Sequence, residues 1–183
     1  FHLFEHKILY YETSRGCPFC CSYCLSSVDK TVRFRSLPIV KKELDAFLEA
    51  KVPQVKFVDR TFNCNRQRAI DIWSYLVEHD NFHFEISSDL LGEEELELFA
   101  KMRPGLIQLE IGVQSTNGET VDAIHRHMDL DKLFHYVDRV HELGNIHQHL
   151  DLIAGLPYEN YERFGCSFDD LYAHEPDQLQ LGF

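Results

Sequence analysis

Apolar and polar residues along the 183-residue chain fall into short runs that switch repeatedly between a period of two and a period near 3.6, the signatures of strands and of amphipathic helices. Ile8 to Thr13 predicts a strand that ends at Ser14-Arg15-Gly16. Ser36 stands as an N-cap before Leu37, Val40, Leu44, Phe47 and Leu48 at helical spacing. A strand over Gln54–Asp59 is followed by a helix over about 66–79, through Ala69, Trp73, Leu76 and Val77, and then by the alternating strand Phe82–Ile86. A helix is predicted over Glu93–Met102, between Gly92 and Pro104-Gly105. Leu106–Gln114 alternates without a break, with Ile107, Leu109, Ile111 and Val113 on one face and Gln108, Glu110, Gly112 and Gln114 on the other. Helical patterns cover 118–127 and 130–143. Strand Ile146–Ile153 then sets His147, His149 and Asp151 on one face, and ends at Gly155-Leu156-Pro157. A helix around 159–173 and a strand over 177–183 complete six strand-helix repeats.

Regular alternation of this kind predicts a parallel sheet with right-handed crossovers. Central strands of a sheet covered on both sides would be apolar on both faces, yet the later strands here keep a polar face. A curved sheet with helices on one side and a polar cavity on the other explains that, so the expected fold is a partial (β/α)6 TIM-like barrel rather than a Rossmann-like sandwich. Active sites of barrels gather at the C-terminal ends of the strands. Asp59, Gln114-Ser115, Gly155-Leu156-Pro157 and the stretch after the first strand all fall there.

That stretch, Arg15-Gly16-Cys17-Pro18-Phe19-Cys20-Cys21-Ser22-Tyr23-Cys24, holds four of the chain's six cysteines. Read as pairs, Cys17/Cys20 and Cys21/Cys24 are two abutting C-x2-C units; read as a triplet, Cys17, Cys21 and Cys24 leave Cys20 over. A structural zinc site draws its pairs from separated points so that four ligands can surround one ion. Adjacent residues such as Cys20 and Cys21 point in different directions and fit that poorly. Three thiolates from one loop suit an iron-sulfur cubane with one iron left open. Zinc and a disulfide framework remain as alternatives, although no leader or wide spacing of cysteines supports disulfides.

Composition narrows the class. The chain is 44% hydrophobic and 26% charged, as expected of one globular domain with a sizeable core. No apolar run approaches the roughly 20 residues that span a bilayer, and the first seven residues do not have the order of a signal peptide. The chain starts without Met and stops inside an expected strand, so it reads as one domain over 1–183 cut from a longer protein. The net charge of −12 is interrupted only by Lys30 to Arg35 and Lys41-Lys42, which makes nucleic acid an unlikely partner. Cysteine usage points to a reducing cytoplasm.

Cys17-x3-Cys21-x2-Cys24, with Tyr23 just before the last cysteine, resembles the cluster loop of the radical S-adenosylmethionine (SAM) superfamily. Phe57-Val58-Asp59-Arg60-Thr61-Phe62-Asn63, Leu109 to Ser115 and Asp151 to Pro157 are similar to strand motifs of its cobalamin-binding branch and of its methylthiotransferase and coproporphyrinogen relatives. The resemblance implies that Cys17, Cys21 and Cys24 hold a 4Fe-4S cluster whose open iron binds SAM. One electron then cleaves SAM to methionine and a 5'-deoxyadenosyl radical, or supports cobalamin-dependent methyl transfer with the corrinoid on a domain outside this chain. It further implies a small-molecule or peptide substrate and a low-potential donor such as flavodoxin or ferredoxin. A methylthiotransferase-like RNA-modifying enzyme is a second reading, and a zinc-binding interaction module a third.

The same resemblance suggests SAM contacts. Tyr23 would pack on the adenine, and Arg126 would meet the SAM carboxylate. Asp151 and Gln114 would meet ribose hydroxyls and Glu110 the positive end, with Ser115 a further cofactor-binding residue. Asp59 stands where the superfamily often has a Gly-Gly-Glu segment, without those glycines. Other roles stay open: Asp59 as a turn former or helix cap, Arg126 as the partner of an acid on its helix, and His83, His147 and His149 as metal ligands or simply polar barrel positions. Cys20 reads as a bystander, Cys64 and Cys166 as structural thiols.

Overall fold

The computed structural model describes residues 7–77, 79 and 81–183; the expectations for the opening residues and for the last turn of the 66–79 helix therefore fall partly outside the described residues. The described residues form eight strands, β1 (Ile8–Tyr11), β2 (Ser14–Arg15), β3 (Arg33–Phe34), β4 (Gln54–Phe57), β5 (Phe82–Ile86), β6 (Ile107–Gln114), β7 (His147–Ile153) and β8 (Gln178–Gly182). Six α-helices connect them, α1 (Leu37–Glu49), α2 (Arg66–Leu76), α3 (Glu93–Phe99), α4 (Gly118–Ala123), α5 (Leu130–Leu143) and α6 (Tyr161–Tyr172).

The main sheet is parallel throughout, in the order β1-β4-β5-β6-β7-β8. Spatial order therefore follows chain order, with no point at which the winding reverses as it does in a doubly wound sheet. Among the described residues both outer strands, β1 and β8, have a neighbour on one side only, so the sheet is an open six-stranded barrel segment, as the polar faces predicted.

One face of the sheet is the core. In β6 the even alternation is realised in full, with Ile107, Leu109, Ile111 and Val113 buried and the residue after each of them partly exposed. Phe57, Phe82 and Phe84 from the strands meet Trp73 of α2 and Phe99 of α3, all of them fully buried. Phe57 stacks on Phe84 at 4.4 Å between ring centroids, and Trp73 meets Phe99 edge-on at 5.0 Å. Each such ring removes a large apolar area from water, about 25 cal/mol for every Å², which fixes the helices to this side and leaves the other face to polar residues.

Helix ends are held by side chains. Asn65 caps α2 by accepting from Arg68 N, Asp129 caps α5 through Lys132 N, and Asn160 caps α6 through Arg163 N. Ser36 occupies the cap position of α1 but its side chain makes no capping bond; Pro38, whose fixed φ suits a first helical turn, starts that helix instead. Buried Glu95 accepts from Gly92 N at 3.1 Å and from Arg66 at 2.7 and 2.8 Å, tying α3 to α2.

A second, two-stranded sheet joins β2 and β3 antiparallel, pairing Ser14 with Phe34 and Arg15 with Arg33. This ladder is too short to show any periodicity and was not predicted. It closes the base of residues 16–32, the excursion that carries the four clustered cysteines.

Candidate active site

The cysteine excursion is shaped by its backbone before any side chain acts. Gly16 has φ +98°, and a Cβ there would collide with the carbonyl oxygen of Thr31, so only glycine fits both the left-handed angle and the close approach. Cys17 N donates to Asp29 O at 3.3 Å, Cys24 N to Cys21 O at 3.1 Å, and Ser22 N to Ile124 O at 2.8 Å, the last anchoring the loop to the end of α4.

Four neighbouring cysteines are thereby sorted. Cys17, Cys21 and Cys24 line one cavity of about 190 Å³ at the C-terminal ends of the strands. Cys20 does not line it; its Sγ lies 3.9 Å from His125 O. Among the described residues no three His, Cys, Asp or Glu side chains converge on a point that could hold one ion. A cubane does not ask for that, since each thiolate meets a different corner iron. A shared cavity faced by three thiols fits a 4Fe-4S cluster.

Tyr23, Glu110, Gln114, Arg126 and Asp151, all expected here, line the same cavity. Arg126 bridges its wall: the guanidinium donates to Gly112 O, to the Tyr23 hydroxyl at 3.3 Å and to Met128 Sδ at 3.3 Å, and lies 3.8 Å from Cys21 Sγ. It lies beyond the end of α4 rather than on a helix, and it has no acidic partner among the described residues. Burial pushes the Tyr23 phenol up to about 12, partly opposed by the Arg126 charge. Gln114 reaches the cavity through an irregularity. The β6–β7 register shifts between Gly112 and Gln114, Gln114 takes φ +75°, and its side chain folds over Gly112, where a Cβ would strike the Gln114 amide nitrogen. A bulge of this kind re-aims one side chain at a strand end.

Below them lies a polar floor. Glu110 Oε2 accepts from His83 Nε2 at 2.7 Å and from Lys56 Nζ at 2.8 Å, and those bonds hold its carboxyl down to about 2 against the opposing effect of burial. His149 Nε2 and Asp151 Oδ1 stand 3.0 Å apart, and the carboxylate raises the imidazole above its ordinary value in spite of burial. His147 lies 4.0 Å from Asp177. Each of the three histidines thus sits by a carboxylate on the polar face.

Two expected contacts lie elsewhere. Asp59 is buried and does not line the cavity. Its carboxylate accepts from Thr13 N at 2.8 Å, Thr13 Oγ1 at 2.6 Å and Ser14 N at 2.5 Å. Both oxygens are committed to the turn that launches the cysteine loop, so the turn role is the one realised. Ser115 is also buried away from the cavity, donating to Glu159 Oε1 at 2.5 Å and accepting from Asn117 N at 3.1 Å; it ties the end of β6 to the segment before α6. Cys64 is half-buried, with burial raising its thiol, whereas Cys166 is exposed and has no packing role.

Residues not singled out in the sequence complete the lining, chiefly Phe19, Arg60, Thr61 and Glu85. Glu85 faces Glu110 in the β5–β6 register. Burial first, then the Glu110 charge, raises its carboxyl. Its alternation with Phe84 and Ile86 would have marked it.

An open parallel barrel whose strand ends surround three thiols, an arginine and a row of carboxylates defines a cofactor-dependent enzyme core with an iron-sulfur centre. The family profile of the Radical SAM superfamily matches residues 11–171, and the chain belongs to that superfamily, whose cofactors are a 4Fe-4S cluster and SAM. It is 29% identical over 154 residues to an uncharacterised methyltransferase of Pyrococcus horikoshii, covering 82% of this chain and 33% of that protein. It is 31% identical over 108 residues to the oxygen-independent coproporphyrinogen III oxidase of Salmonella typhimurium, covering 56% of this chain and 24% of the relative. The chain thus spans a third or less of these relatives. Among solved structures, the radical SAM methyltransferase TsrM from Kitasatospora setae, with cobalamin and a 4Fe-4S cluster bound, superposes with a TM-score of 0.82 at 16% identity, over 96% of this chain and 36% of that one. The cobalamin-dependent radical enzyme OxsB matches with a TM-score of 0.67 at 22% identity, over 89% and 26%. These likenesses establish the fold. No helix among the described residues is long and apolar enough to cross a membrane.

Proposed function

We propose that the chain is the cofactor-binding core of a radical SAM enzyme in which Cys17, Cys21 and Cys24 hold the cluster and the cavity they line receives SAM. The sorting of the cysteines carries the reading: three face the cavity and the fourth is turned to His125 O. Bound there, the cluster supplies the electron that cleaves SAM reductively.

The chain's own side chains bind and orient. Arg126 offers its planar fork to a carboxylate and sets a positive charge beside Cys21, 3.8 Å from the sulfur. Tyr23, its hydroxyl tied to Arg126, presents an aromatic face for the adenine. Gln114 and Asp151 are suited to ribose hydroxyls. Glu110, kept ionised by His83 and Lys56, supplies negative charge toward a sulfonium. Phe19 and Ile86 in the lining help exclude water.

Methyl transfer is the outcome we favour, because the Pyrococcus horikoshii relative is named a methyltransferase and TsrM is a methyltransferase with cobalamin bound. Cobalamin would then come from a domain outside this chain, acting on a small molecule or peptide. A low-potential donor such as flavodoxin or ferredoxin, in a reducing cytoplasm, would complete the system.

Anaerobic reconstitution of the full-length protein, dithionite reduction and electron paramagnetic resonance test the reading. A reduced 4Fe-4S signal that changes shape on adding SAM is expected. A signal blind to SAM overturns it, as does a chain that assembles no cluster.

A further inference from the structure

The surface around the cysteine loop differs in charge from the rest of the molecule. The chain carries a net charge of −12, yet residues 14–35 hold four Lys or Arg and a single Asp. Arg60 adds a fifth cation from the end of β4, and lines both the cysteine cavity and the outer groove beside Leu25 and Val28. Three of the five are neutralised in exposed ion pairs, Arg15 with Glu12, Arg33 with Asp29 and Arg35 with Glu43. Lys30 and Arg60 form no ion pair among the described residues, so the patch stays positive on an acidic protein.

At its centre are two apolar side chains that the fold does not use. Leu25 is 91% exposed and Val28 86% exposed, on the single 3-10 turn that follows Cys24 directly. Phe34, 40% exposed, extends the apolar area along β3. An apolar centre with a charged rim is the anatomy of a protein contact, and this one begins one residue beyond a cysteine of the cavity.

We propose that this surface docks the enzyme's one-electron donor, a small acidic redox protein. Leu25 and Val28 form the apolar contact, and the unpaired Lys30 steers the approach. The assignment rests on the cluster reading of Cys17, Cys21 and Cys24. Elsewhere the negative field of the chain repels an acidic partner, so the positive patch selects the docking face and raises the encounter rate. Cys24, the half-buried cysteine of the cavity, directly precedes this turn. One electron leaves the donor's reduced centre, which is oxidised by one equivalent, and enters the cluster, which is reduced by one; no covalent bond of this chain forms or breaks.

The test compares two reductants on the full-length, reconstituted protein in stopped flow, reduced flavodoxin and dithionite. Lys30→Glu is expected to slow flavodoxin reduction by about fivefold or more at low ionic strength and to flatten its salt dependence, with Lys30→Gln between it and the wild type. Leu25→Ser/Val28→Ser is expected to raise the flavodoxin concentration needed for half the maximal rate by roughly fivefold. Dithionite rates stay at the wild-type value in all three. Flavodoxin rates within about twofold of wild type across the set overturn the docking surface. Should dithionite reduce nothing in the wild type, the cluster reading fails by itself. Calorimetric titration of oxidised flavodoxin into the chain then decides the surface separately: weaker binding in the variants supports it, and unchanged binding sinks it.

Discussion

Asp59, two residues beyond β4, accepts the backbone N–H of Ser14 at 2.5 Å, so an acid at the end of one strand fixes the exit of its neighbour. The carboxylate is buried, and losing it leaves three donors unpaired. Asp59→Ala should destabilise the fold by about 3 kcal/mol, measured by urea unfolding. SAM affinity of the folded, reconstituted variant should change by less than about threefold. A large loss of SAM binding at unchanged stability would instead make Asp59 a ligand.

Cys20 and Cys21 are adjacent yet face different surroundings. Cys20→Ala should retain the full iron and sulfide content after reconstitution, whereas Cys21→Ala, like Cys17→Ala and Cys24→Ala, should lose the reduced 4Fe-4S signal. Equal damage from Cys20→Ala and Cys21→Ala would point to a four-thiolate site and away from the triplet.

The Glu110 carboxyl, lowered from its ordinary 4.5 to about 2 by His83 and Lys56, binds protons more readily in the unfolded chain. Its contribution is therefore present above pH 4.5 and lost as pH falls toward 2. The shift corresponds to stability on the order of 3 kcal/mol. Urea titrations from pH 6 to pH 2 should show this loss in the wild type and a flatter profile in Glu110→Gln. Parallel profiles would mean the carboxylate is not held by its two partners.

His149 is shifted the other way, raised by Asp151. Its contribution is complete below the ordinary imidazole value of 6.5 and is lost as pH rises through the higher folded value. An NMR titration should place its midpoint above 6.5 in the wild type and move it down in Asp151→Asn. A midpoint indifferent to residue 151 would disprove the pairing.

The barrel was legible because its strands are long enough for a period of two to be read. Ile107 to Val113 declared both the core face and the polar face of β6 in sequence alone. Gln114 was legible by position only; its place in the cavity depends on a bulge and a left-handed φ that alternation cannot show. Asp59 could not be resolved from sequence, because a strand-end carboxylate serves a ligand or a turn equally well. Its partners Thr13 and Ser14 lie 46 and 45 residues away and meet it only in the folded sheet. Ser115 failed for the same reason, its partner Glu159 being 44 residues distant. Arg126 was expected from the resemblance, while its contact with Tyr23 across 103 residues is a property of the fold.

The two-residue ladder between β2 and β3 closes residues 16–32 at their base through protein hydrogen bonds. Gathering distant points of a chain carries an entropic cost that grows with the logarithm of the loop, and here folding of the barrel has already met most of it. Within the loop, the bonds from Cys17 N to Asp29 O, Ser22 N to Ile124 O and Cys24 N to Cys21 O order the thiol-bearing segment by the same means. A cluster bound there would add its ligand bonds to a loop that the protein itself closes, unlike small zinc domains that need the ion in order to fold.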